Sequence, residues 1–109
     1  MIPRGEARAL QTEVIDLRRA IHVEPELGNN LPATTAKVEA ALSGLPLTIR
    51  QSRDTTSLVA TLEGGQPGKR ILLRADMDAL PMPEDNDLPF AYQAAGRMHA
   101  CGHLSLIHI

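Results

Sequence analysis

Ile71-Leu72-Leu73-Arg74-Ala75-Asp76-Met77-Asp78-Ala79-Leu80-Pro81 is the stretch on which the fold turns. Its apolar half does not alternate. Strand side chains point to opposite faces in turn, so Ile71, Leu72 and Leu73 in a row make a strand apolar on both faces. Such strands lie inside sheets covered by helices on both sides. Asp76 and Asp78 then fall just beyond the strand's carboxyl end, where open α/β sheets bind their ligands. Carboxylates at i and i+2 share one face, and their repulsion must be offset by a cation, an arginine or a hydrogen-bonded histidine. Taken alone, Asp-x-Asp reads as a solvated turn, because aspartate commonly ends strands. Its position after this strand is what gives it weight.

Upstream, two further extended runs are expected. Leu47-Thr48-Ile49-Arg50 alternates weakly, and Leu58-Val59-Ala60-Thr61-Leu62 is a better strand. Gly64-Gly65-Gln66-Pro67-Gly68 is a turn by composition, which predicts an antiparallel hairpin between Leu58–Leu62 and Lys69–Ala75. Two helices precede these runs. Leu10, Val14, Leu17 and Ile21 recur at helical spacing and predict one amphipathic helix from Glu6 to about Val23, stopped by Pro25 and Gly28. His22, one position past that stripe, reads as a partly buried residue complementing the helix dipole, with no catalytic role. Pro32 suits a first helical position, and an alanine-rich helix should run from it to Ser43, ended by Gly44. Two helices and three extended runs cannot cover the Ile71–Leu73 strand on both faces. The chain calls for more sheet and more helix than its 109 residues supply.

Downstream, the loop from Pro81 to Arg97 carries Pro81, Pro83 and Pro89 and the acidic group Glu84, Asp85 and Asp87. Loops of that length are usually functional or disordered, and the acidic group reads as a solvated rim. The loop delivers Met98-His99-Ala100-Cys101-Gly102-His103, which holds the chain's single cysteine and two of its four histidines. A thiolate and an imidazole are good ligands for a borderline-soft divalent metal, and in an extended segment Cys101 and His103 point to the same side. Two ligands alone do not make a site, and a lone cysteine is commonly just a small hydrophobe.

Composition narrows the class. Net charge is −2 from 11 basic and 13 acidic residues spread without blocks, so no nucleic-acid or membrane partner is expected. No stretch approaches membrane-spanning length, the start shows no secretory pattern, and one cysteine cannot form an internal disulfide. These features fit a cytoplasmic protein with an aliphatic core.

Three motifs in order resemble the metal-dependent amidohydrolases that include hippurate hydrolase, N-acyl-amino-acid amidohydrolase and plant auxin-conjugate hydrolases. They are Leu17-Arg18-Arg19-Ala20-Ile21-His22-Val23-Glu24-Pro25-Glu26-Leu27, Arg74 to Pro81, and Met98 to His103. The resemblance implies the N-terminal part of a three-layer α/β/α zinc-peptidase-like catalytic domain over residues 1–103, with a lid or dimerisation domain absent. It implies two divalent ions (Mn, Zn, Co or Ni) in the full-length protein, with Cys101 and His103 as metal ligands and Asp78 as the supporting catalytic aspartate. Asp76 and His99 are implied as neighbours that touch ligands rather than metal, Asp76 standing where more distant relatives place a metal-binding histidine. The implied reaction is hydrolysis of the amide bond of N-acyl amino acids by a metal-activated water, with a glutamate taking the water's proton. No residue of this chain matches that general base, and the fragment is expected to be inactive. The parent enzyme is expected to act on small molecules and to dimerise.

Where the family continues with aspartate after the Gly-His pair, this chain reads Leu104-Ser105-Leu106-Ile107-His108-Ile109. Those residues are what CTG TCT CTT ATA CAC ATC encodes, the transposon end used as an adapter in a common sequencing-library method. Residues 104–109 are therefore expected to be translated adapter, and His108 is not a candidate ligand. Two alternatives stand beside the leading reading. One is a related dipeptidase or diaminopimelate deacetylase, though the Cys-x-His motif favours the hippurate-hydrolase branch over the carboxypeptidases. The other is a complete small non-enzymatic protein whose Cys101 is a structural thiol.

Overall fold

A computed structural model describes residues 3–82, 89 and 96–100. The expected first helix is present in two pieces, α1 (Pro3–Ala9) and α2 (Gln11–His22). Leu10, at the joint, keeps right-handed helical angles, with φ −88° and ψ −6°. Its N–H still donates to Glu6 at 3.3 Å, and its carbonyl accepts from Val14 at 3.1 Å. The interruption is a local loosening where the stripe is least covered, since Leu10 is more than half exposed. Packing takes hold at the other end, where Ile21 and His22 are buried and α2 meets α3 (Pro32–Leu42).

Helix α3 begins on Pro32, as the sequence predicts, and stops before Gly44, whose φ of +84° suits a residue without a Cβ. Its buried residues are Thr34 and Thr35, in the first turn, while much of its alanine face is exposed. The helix is thus held by its N-terminus rather than along its length.

The sheet differs from expectation. Strand β2 (Leu58–Thr61) pairs antiparallel with the upstream strand β1 (Thr48–Gln51), in the register Thr48↔Thr61 to Gln51↔Leu58. It does not pair with Lys69–Ala75, so the hairpin predicted across the glycine-rich turn is a misassignment. The connection between β1 and β2 is short and closes on itself through Ser52 N–H donating to Ser57 O at 3.0 Å. The Ile71–Leu73 run would gain little from one neighbour, because pairing at an edge covers neither of its two apolar faces. Among the described residues it has no ladder partner, and Ile71, Leu72 and Leu73 are 87%, 88% and 90% exposed.

Thr56, in the β1–β2 loop, fastens the hairpin to the helices. Its N–H donates to Asn29 O (3.1 Å), its Oγ1 accepts from Leu31 N–H (2.7 Å), and its carbonyl accepts from Thr35 Oγ1 (2.8 Å). One residue thereby satisfies the backbone groups of Asn29 and Leu31 just before α3 and holds the Thr35 hydroxyl in its first turn.

Candidate functional site

The three sequence motifs meet at backbone level. Motif one touches motif two where Ala79 N–H donates to Glu26 O at 2.7 Å. Motif two touches motif three through an isolated antiparallel bridge, in which Leu80 and Met98 exchange N–H···O bonds of 2.8 and 2.9 Å. The bridge lies two residues after Asp78 and three before Cys101 in sequence. Motif one also touches motif three: the rings of His22 and His99 lie 6.3 Å apart, centroid to centroid, tilted by 38°. Both rings are buried, at 7% and 6% exposure. His22 therefore has the buried position in the last turn of α2 that its place in the sequence suggested, and its ring neighbour comes from the Cys-x-His stretch.

Asp76 and Asp78 are both half-buried. The arginine needed to offset their repulsion is Arg74, whose Nη2 lies 2.7 Å from Asp76 Oδ1. Both partners are open enough to water that the pair does little for stability and serves chiefly to orient Asp76. A cleft of about 490 Å³ runs along this segment, bounded by Arg74–Asp78 on one side and by Asn29, Thr55 and Ser57 on the other.

Glu26 is the residue that the motif reading leaves without a role. Leu31, at the start of α3, provides no side-chain cap. The Glu26 carboxylate reaches in from outside the helix instead, accepting from Thr34 N–H at 2.6 Å and Ala33 N–H at 3.2 Å. Burial pushes this carboxyl up, but hydrogen bonds from Thr34 and Ala33 and the nearby Lys37 ammonium outweigh it and hold the group below its ordinary value. Lys37 is itself held by Glu24 of the same motif. A cap six residues before the helix it serves leaves no local pattern. The only sequence signal is negative, a helix start with leucine where serine, threonine or aspartate is usual.

Cys101 and His103, together with Glu84, Asp85 and Asp87, lie outside the described residues. Among those described, no three His, Cys, Asp or Glu side chains come close enough to hold a metal ion. In kind, the donors fit a divalent metal: a thiolate and an imidazole, with the Asp78 carboxylate two residues from the Leu80–Met98 bridge. No helix among the described residues is long and apolar enough to cross a membrane.

Comparison with known proteins agrees with the motif geometry. Residues 72–105 match the model of peptidase family M20/M25/M40. The chain is 44% identical over 95 residues to an N-acyl-L-amino acid amidohydrolase of Geobacillus stearothermophilus, covering 86% of this chain and 25% of that protein. It is 39% identical over 101 residues to thermostable carboxypeptidase 1 of Saccharolobus solfataricus, covering 92% of this chain and 26% of that one. A Bacillus subtilis protein described as a dinuclear metal binding peptidase superposes with a TM-score of 0.83 at 37% identity, over 93% of this chain and 29% of that one. The chain spans about a quarter of the length of these curated relatives. Its helices and hairpin are thus part of a larger α/β architecture, which accounts for the uncovered Ile71–Leu73 run. With its match over residues 72–105 and its backbone superposing on a solved structure of the same family, the chain is similar to peptidase family M20/M25/M40.

Proposed function

We propose that the chain is the amino-terminal part of a metal-dependent amidohydrolase that cleaves the amide bond of N-acyl amino acids, hippurate-like substrates included. The supporting observation is the set of contacts joining Glu26 to Ala79, Leu80 to Met98 and His22 to His99. A complete small protein with a structural thiol would not require these three distant segments to converge. In this reading Cys101 and His103 hold metal. Asp78 supports the site, with Asp76 and His99 as neighbours that touch ligands rather than metal. Two bound ions would supply a water of lowered pKa and a polarised scissile carbonyl. Arg74 orients the Asp76 carboxylate, and the buried ring of His99 packs on that of His22. The general base and remaining ligands belong to sequence beyond residue 103, residues 104–109 being translated adapter. The chain by itself is inactive, and the parent is a cytoplasmic homodimer using Mn, Zn, Co or Ni.

The carboxypeptidase similarity makes peptide hydrolysis the rival reading. Recovering the intact gene and assaying its purified product against hippurate, N-acetyl amino acids, dipeptides and N-acetyldiaminopimelate separates the two. The expected result is hydrolysis of N-acyl amino acids that a chelator abolishes and a divalent metal restores. A natural stop codon after Ile109, or activity untouched by chelation, overturns the proposal.

A further inference from the structure

We propose that Glu26 is a positioning residue whose side chain and main chain together tie the start of α3 to the segment that carries Asp78. Both ends of the residue are engaged. Its two carboxylate oxygens take Thr34 N–H and Ala33 N–H, and its carbonyl takes Ala79 N–H, the residue after Asp78. Pro25, immediately before it, is fully buried and has a fixed φ, so the Glu26 backbone has little freedom to move alone. Loss of the carboxylate's bonds to α3 would thus release the Glu26 backbone on that side, and its carbonyl would carry the change to Ala79. From there it reaches Leu80, whose two bonds hold Met98, the first residue of the third motif. Capping by an acidic side chain is ordinarily a local matter of helix stability. Here the capping residue is also the bracket for a catalytic loop, and loss of the cap should be felt in the chemistry.

The consequence for catalysis rests on the proposed amidohydrolase function, but the structural coupling does not. The test uses the protein expressed from the intact gene, as wild type and as Glu26→Gln, whose amide keeps the length and loses one of the two acceptors. Amide hydrogen exchange is measured at three places: Ala33–Thr34, Ala79–Leu80, and the core of α2 as a control. Exchange about tenfold faster at both Ala33–Thr34 and Ala79–Leu80, with α2 unchanged, is the expected result. Faster exchange at Ala33–Thr34 alone makes Glu26 a cap and nothing more, and overturns the proposal. If Glu26→Gln also exposes α2, Glu26→Asp takes its place, retaining the charge one methylene short, and the same comparison is read. In the active enzyme, kcat should fall about tenfold for Glu26→Gln, with KM within twofold and metal content unchanged, since a misplaced group costs rate more than binding. An unchanged kcat refutes the link to catalysis. A wild-type protein without amidohydrolase activity refutes the proposed function and leaves the exchange result to stand or fall separately.

Discussion

Replacing Leu72 by lysine should have opposite effects in the isolated chain and in the intact protein. Ile71, Leu72 and Leu73 are 87%, 88% and 90% exposed, so nearly all of their side-chain surface remains to be buried. At about 1.5 to 3 kcal/mol for each fully buried side chain of this size, the three leave about 4 to 8 kcal/mol ungained. A whole domain is typically stable by only about 5 to 15 kcal/mol, so the isolated chain forgoes a sum comparable to its entire expected stability. It should self-associate through this segment, which presents unpaired backbone groups beside the apolar side chains. Leu72→Lys puts a charge in the middle of the run and should shift the isolated chain from aggregates toward monomer in light scattering after size exclusion. In the intact protein the same lysine enters a covered strand without a counter-charge, and soluble yield should collapse. A wild-type isolated chain that runs as a monomer and unfolds in one sharp transition would refute the reasoning, as would an intact Leu72→Lys protein of unchanged stability.

Thr56→Val removes the acceptor for the buried Leu31 N–H and should lower stability by about 1 to 3 kcal/mol in urea unfolding, whereas Thr55→Val should cost far less. The depressed Glu26 carboxyl predicts an acid effect of definite sign. Its contribution is fully present above the ordinary carboxyl value of 4.5 and is lost as pH falls through the lower folded value. Glu26→Gln should flatten that part of the curve of melting temperature against pH, and an identical slope would count against the hydrogen bonds being maintained in solution. Catalytic zinc sites typically take about three protein ligands, so the isolated chain, with Cys101 and His103 alone, should bind zinc weakly and lose that binding in Cys101→Ala. Tight one-to-one binding in calorimetry would contradict a metal site shared between this chain and the remainder of the parent protein.

The sequence is legible wherever the chain decides its structure locally. Pro32 opens α3, Gly44 closes it at a φ only glycine adopts freely, and Arg74 stands two residues from the aspartate it pairs with. It is illegible where the outcome depends on which distant segment arrives to satisfy a group. The glycine-rich turn at 64–68 has the composition of a hairpin turn, yet composition says nothing of the cover that the Ile71–Leu73 run needs on both faces, and β2 pairs upstream instead. The Glu26 cap and the Thr56 fastening leave no local pattern because each serves backbone groups that only tertiary structure brings near. His22 shows how the two kinds of knowledge combine. Its burial at the end of α2 follows from helical spacing, but its meaning changes once its ring is seen against His99, in the stretch that leads to Cys101. The apolar stripe of α2 therefore does more than build a core. By burying Ile21 and His22 at its last turn, it fixes the point from which Pro25 and Glu26 reach the aspartate segment, and the motif that looked structural becomes the frame on which the candidate site is hung.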